Sequence, residues 1–167
     1  MTPSAVSQLP VLFVDDEPAL LRSASLLLRA AGMTPILTLD DSRLVLSRLA
    51  EDKIGVVVLD LSMPHLSGQA LLEQITAYDP DLPTLVMTAT HDLETAVQCM
   101  QAGAIDYLVK PVEKHRLVAS VRRALELRAL REEVFSLKER LLSDTPHQRE
   151  AFAELVTQNP AMHALFR

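Results

Sequence analysis

Hydrophobic positions along this chain come in two textures that alternate. Short, nearly unbroken apolar runs occur at 11–14, 34–39, 54–59, 82–87 and 105–109. Between them lie longer stretches in which apolar residues recur every three or four positions, the spacing of one helix face. The first of these, 18–31, carries Leu20, Leu21, Leu27 and Leu28, opens on Pro18 and is followed by Gly32. Proline suits the first turn of a helix and glycine its stop. Asp40, Asp41 and Ser42 are cap-forming residues ahead of a second helix reaching about residue 51. Further helices are predicted at about 68–78 and 93–102, the latter stopped by Gly103, and a last one begins near residue 112. The run at 54–59 is apolar throughout, as expected of a parallel strand covered on both faces. Five strands alternating with five helices predict a doubly wound α/β fold around a five-stranded parallel sheet.

The last helix runs on past the point where such a domain closes. Leu127, Leu130, Val134, Leu137 and Leu141 alternate spacings of three and four, an a/d seam of about two heptads. Glu126 and Glu133 fall at g, and Arg131 and Lys138 at e, where a parallel partner helix can pair with them. Packing of the same stripe on the chain's own domain is the competing expectation. Asp144-Thr145-Pro146 then breaks the helix. The organisation expected is a domain at 9–125, a coiled-coil-like dimerisation linker at 126–143, and at 144–167 the truncated start of a following domain.

Composition narrows the class. A chain of 167 residues that is 49% hydrophobic can bury one domain core with an appendage to spare. Net charge is −6 and no block of Lys and Arg stands apart from acidic residues, which argues against direct nucleic-acid contact by this stretch. Cys99 is the only cysteine, so no internal disulfide can form, which suits a reducing cytoplasm. Residues 1–10 lack the pattern of a signal peptide, and no apolar run reaches membrane-spanning length.

The strand-like runs end on chemistry. The first leads into Asp15-Asp16, the third into Asp60, the fourth into Thr88 and the fifth into Lys110-Pro111. Ligands of open α/β sheets bind at the carboxyl ends of the strands, so these residues are expected to converge. Three carboxylates suit Mg²⁺, a hard cation that takes oxygen ligands. Asp16 and Asp60 are the expected direct ligands, with Asp15 acting directly or through a water and the Ser62 backbone carbonyl completing the set. Asp60, alone at the tip of the central strand, is the expected nucleophile, forming an aspartyl phosphate. Lys110 would neutralise charge on the phosphoryl oxygens and Thr88 would donate its hydroxyl to them. The Lys110-Pro111 bond is a candidate cis peptide. Taken singly, each residue has a plainer role as a cap, strand or surface residue; together at successive strand ends they point to one site.

The stretches VLFVDDEP, VVVLDLSMPHLSG, LVMTAT and AGAIDYLVKP resemble the receiver domain of two-component response regulators. That resemblance implies a flavodoxin-like receiver fold, a phosphoacceptor at Asp60, acidic metal ligands at Asp15 and Asp16, a switch hydroxyl at Thr88, a charge-neutralising Lys110 and an aromatic switch at Tyr107. It implies a sensor histidine kinase as partner and only self-catalysed phosphorylation and dephosphorylation, not an enzyme acting on other substrates. A homodimer is expected through the linker helix, and also through the face formed by the fourth helix, fifth strand and fifth helix. The segment LVTQNPAMHALFR resembles the opening of the AAA+ ATPase domain of sigma-54-dependent activators, which implies ATPase and DNA-binding output domains beyond this stretch.

Other readings compete. A phosphohydrolase of the haloacid-dehalogenase type would need a D-x-D motif after the first strand, where Asp15-Asp16-Glu17-Pro18 stands. A flavodoxin-like cofactor site would need a phosphate-friendly loop there, which three acids oppose. A receiver-like scaffold that dimerises without phosphorylation is the remaining alternative. His65, His91 and Thr90 lie beside the expected pocket. Met63-Pro64 and Gly68 are expected to shape the loop beneath Asp60.

Overall fold

The computed structural model describes residues 9–143. The predicted segment 144–167 lies outside the described residues. By its internal contacts the chain divides after Ala129, with a second unit starting at Leu130.

Strands β1 (Val11–Val14), β2 (Ile36–Leu39), β3 (Val56–Asp60), β4 (Thr84–Thr88) and β5 (Asp106–Val109) alternate with helices α1 (Pro18–Ala30), α2 (Val45–Glu51), α3 (Gly68–Tyr78), α4 (Leu93–Gln101) and α5 (Lys114–Ser143), the last of which continues past Ala129. All strands are parallel, in the order β2-β1-β3-β4-β5. The chain order reverses between β1 and β3, the switch point where such sheets leave a crevice. Side chains alternate across the sheet with period two. Val11, Phe13, Val56, Val58, Leu85 and Met87 pack under α1 and α5, whereas Leu12, Val14, Val57, Leu59 and Val86 pack under α2, α3 and α4.

The structure trims the expected elements. β2 and β4 each begin two residues later than their apolar runs, β2 just after Pro35 and β4 just after Pro83. β3 starts two residues late and runs on to include Asp60, because Leu61 continues the ladder by donating its amide to the Met87 carbonyl. The second helix is entered through a 3-10 turn, Ser42–Leu44, capped by the Asp41 carboxylate on the Arg43 amide. The last helix begins at Lys114 rather than near 112. Lys110-Pro111 is cis, as is Thr34-Pro35, which the sequence reading did not single out.

Gly68 opens α3 against the end of β3. A β-carbon there would lie 2.4 Å from the Leu61 Cα and 2.9 Å from the Asp60 carbonyl oxygen. Only glycine lets the helix approach the strand that carries Asp60 this closely.

α5 is described through Ser143 as one helix of 30 residues. Leu117, Ser120, Val121 and Ala124 are buried, while Leu130, Val134, Leu137 and Leu141 are each at least half exposed. Among the described residues, no helix is long and apolar enough to cross a membrane.

Candidate functional site

The ends of β1, β3 and β5 bring four predicted residues together. Carboxylate oxygens of Asp15, Asp16 and Asp60 lie within 4.8 Å of one another. The Lys110 ammonium stands 2.8 Å from Asp15 Oδ2 and 3.3 Å from Asp60 Oδ2. Asp15 and Asp60 are buried, whereas Asp16 is exposed. The cluster therefore has a buried floor and one carboxylate on its open side.

Each buried carboxylate is anchored by its own turn. Asp15 Oδ1 accepts a hydrogen bond from the Glu17 amide at 2.9 Å, and Asp60 Oδ1 accepts one from the Ser62 amide at 3.1 Å. Both are turns in which an aspartate binds the backbone two residues on. Ser62 thus contributes its amide to the site, a role distinct from the carbonyl contribution expected from sequence. The anchors fix one oxygen of each acid and leave Oδ2 of each to Lys110.

Electrostatics follow from this geometry. Burial favours loss of the Lys110 proton, but the hydrogen bond to Asp15 and the charges of Asp60 and Asp15 outweigh it, so its pKa stands above the ordinary lysine value. Three carboxylates facing one ammonium leave two uncompensated negative charges. An all-oxygen donor set with excess negative charge and an open face fits a hard divalent cation that keeps part of its water shell.

Thr88 ends β4, pairing with Val109 beside Lys110. Its Oγ1 accepts a hydrogen bond from the Thr90 amide at 3.2 Å. Tyr107, on β5, is half-buried and donates its phenolic hydroxyl to the Thr90 carbonyl at 2.9 Å. The two predicted switch residues are therefore joined through one residue's backbone. The sequence placed Thr90 beside the pocket by its side chain; the linking role of its peptide groups was missed. The available signal was a hydroxyl residue two positions before an amide, a common turn in loops.

The two histidines expected beside the pocket are both on the surface. His91 is exposed, and His65 is exposed with φ 76°, a left-handed conformation at the apex of the β3–α3 loop. That loop is tied to the second helix's entry turn, where Ser42 Oγ donates to the Pro64 carbonyl at 3.3 Å. Near His65, Arg43 beside Asp41 holds that carboxyl down at about 2.

The response regulator receiver domain family matches this chain over residues 11–122. The chain belongs to this family. The receiver is 43% identical over 124 residues to the C4-dicarboxylate transport transcriptional regulatory protein DctD of Pseudomonas aeruginosa, covering 74% of this chain and 27% of the relative. It is 37% identical over 158 residues to the DctD of Rhizobium meliloti, covering 93% and 32%. It is 40% identical over 115 residues to the DNA-binding transcriptional regulator NtrC of Salmonella typhimurium, covering 69% and 24%. The chain thus spans about a third or less of these relatives. Among solved structures, NtrX from Brucella abortus matches with a TM-score of 0.71 at 30% identity over 80% of this chain and 30% of that one. A CheY-like receiver domain protein from Methanospirillum hungatei matches with a TM-score of 0.70 at 25% identity over 75% and 99%. The receiver is NtrC-like, and the five-stranded parallel fold is that of its family.

Proposed function

We propose that this receiver is a phosphorylation switch in which Asp60 accepts a phosphoryl group from the phosphohistidine of a sensor histidine kinase. The observation that carries the reading is the buried Asp60 carboxylate, backed by Asp15 and Asp16 and met by Lys110 at 3.3 Å. Asp60 is fixed by the Ser62 amide on Oδ1, leaving Oδ2 to attack phosphorus while the P–N bond breaks and the imidazole leaves. Asp15, Asp16 and Asp60 would hold Mg²⁺, which supplies positive charge to the phosphoryl oxygens. Lys110, already between Asp15 and Asp60, supplies the second positive charge on the same side. The receiver's own residues catalyse the transfer, and the acceptor is the receiver itself.

The switch reading rests on the Thr88–Thr90–Tyr107 link. A phosphoryl oxygen on Asp60 offers the Thr88 hydroxyl a charged acceptor, stronger than any neutral one. When Thr88 turns to it, the bond to the Thr90 amide is lost, the Thr90 peptide moves and Tyr107 loses its fixed acceptor. That repacks the face made by α4, β5 and α5, and alters the state or geometry of a dimer formed there and along the linker helix. Similarity to the transcriptional regulators DctD and NtrC supports a transcriptional output domain in the whole protein, and the resemblance of LVTQNPAMHALFR to the opening of a sigma-54 activator's ATPase domain makes the AAA+ class its expected kind.

Intact-mass spectrometry after incubation with acetyl phosphate tests the chemistry. One added phosphoryl group is expected with Mg²⁺, none with chelator and none in Asp60→Asn. An equal adduct in Asp60→Asn would refute the assignment. Absence of any adduct, together with failure to bind fluoroberyllate, would leave the scaffold reading standing.

A further inference from the structure

Ser42 carries a buried hydroxyl that its own turn does not use. It stands, 2% exposed, at the start of the 3-10 turn Ser42–Leu44. That turn is capped by the Asp41 carboxylate on the Arg43 amide, so capping does not call on the Ser42 side chain. Serine hydroxyls commonly bond backbone groups a few residues away. Ser42 Oγ instead donates to the Pro64 carbonyl, 22 residues on, at 3.3 Å. Pro64 belongs to the β3–α3 loop, whose Ser62 amide anchors Asp60 Oδ1 at 3.1 Å. Only Met63, itself buried in the core, separates the residue that Ser42 holds from the residue that holds Asp60.

The Pro64 carbonyl accepts a second bond, from the Leu66 amide at 3.1 Å. This bond closes a three-residue turn around His65, whose φ is 76°. An i to i+2 bond about a residue with φ of about +75° is the strained form of the γ-turn. A residue other than glycine stays in such a conformation only where its surroundings hold it there. The Ser42 hydroxyl on the carbonyl that closes the turn is one such hold. Without it, His65 can leave the left-handed region, the Pro64 peptide turns, and the shift passes through Met63 to the Ser62 amide.

We propose that Ser42 is a positioning residue for phosphoryl acceptance: by tying down the Pro64 carbonyl it keeps the strained turn at His65, and so keeps the Ser62 amide on Asp60 Oδ1 with Oδ2 turned toward Lys110. This rests on the reading of Asp60 as the phosphoacceptor. Ser42 acts through the loop and not at the reacting atoms. Once the loop is untied, the Asp60 carboxylate spends time in orientations from which Oδ2 cannot attack, and fewer encounters with a phosphoryl donor are productive.

The rate of phosphorylation by acetyl phosphate at saturating Mg²⁺, followed by intact mass on the 167-residue chain, tests this. Ser42→Ala should slow it about fivefold, the scale of one net hydrogen bond. In metal-free NMR spectra of the same variant, the His65 Cα and Cβ shifts should leave their left-handed values and the Ser62 amide should move. Glycine adopts positive φ without strain, so adding His65→Gly to Ser42→Ala should bring the rate back to within about twofold of the parent. Ser120→Ala removes another buried hydroxyl, the one on α5 that bonds Asp106, and should leave the rate unchanged even where it lowers stability. The parent rate in Ser42→Ala would overturn the positioning role and leave Asp60 as the acceptor. A slower rate that His65→Gly fails to restore would overturn it too, because the loss would not run through the turn. A parent chain that takes no phosphoryl group would remove the acceptor reading itself, and this proposal with it. If Ser42→Ala does not fold, Ser42→Cys, of similar shape but with a weaker donor, replaces it with the same expected and refuting outcomes.

Discussion

Lys110 is the residue on which the site's charge balance turns. It neutralises one of three carboxylates and sits between the two buried ones. Replacing it by methionine keeps most of the stem and leaves Asp15 buried without its cation. Removing one partner of such a pair costs more than the pair contributes, and because Lys110 is partly exposed about 2 kcal/mol is the expected loss without metal. The same change adds one uncompensated negative charge, so Mg²⁺ should bind tighter and restore more stability to Lys110→Met than to the parent. Thermal unfolding with and without Mg²⁺ checks this: an equal rise in Tm for both chains would show that Lys110 and the metal do not share Asp15. The identities of Asp15, Asp16, Asp60, Thr88 and Lys110 were legible in the sequence because they follow apolar runs that form adjacent strands. The division of labour among them was not. Whether Asp15 faces a lysine, and whether the Ser62 amide reaches Asp60, depends on dihedral angles within turns, for which the residue types carry no signal.

At the scale of elements, two helix starts control the surroundings of the site. α3 begins at Gly68 with no room for a β-carbon beside Leu61 and Asp60. Gly68→Ala must push the helix away from β3, and overpacking of this severity should cost about 2 kcal/mol or more in urea unfolding. Amide shifts at Asp60 and Leu61 should move with it; unchanged shifts and stability would mean that the contact relaxes freely. α4 is capped by Asp92, whose carboxylate accepts from the Thr95 hydroxyl at 2.6 Å and from the Glu94 and Thr95 amides. The Thr95 hydroxyl, followed by the amides, holds this carboxyl below its ordinary value. A lowered folded pKa gives stability that is present above the unfolded value of 3.8 and is lost as pH falls through the folded one. The Tm gap between the parent and Asp92→Asn should therefore be widest near neutrality and shrink below about pH 4; a gap independent of pH would show that only the cap's shape matters. The first start was expected near Gly68 from the sequence, whereas the cap at Asp92 was not singled out there. The trimmed ends of β2 and β4 were not marked either, because an apolar run does not reveal where its ladder partners begin.

For the whole molecule the open question of mechanism is how a local charge change at Asp60 reaches an output domain, and the linker residues decide it. In the single chain Leu130 and Leu137 are 59% and 50% exposed, and Leu141 is 73% exposed. Apolar residues spaced in heptads and left to water are expected to bury themselves against an equivalent stripe. A second copy can supply that stripe, which follows the buried residues of α5, Leu117, Ser120, Val121 and Ala124, along the helix. Leu130→Ala with Leu137→Ala removes both d residues of the leucine seam while keeping helix propensity high. The dimer dissociation constant should rise by more than tenfold, the receiver's own unfolding should shift little, and phosphorylation of Asp60 from acetyl phosphate should proceed at the parent rate. A variant that sediments as the parent does would place the stripe outside any dimer. A slower phosphorylation rate in the monomeric variant would mean that association changes the geometry of the acceptor site.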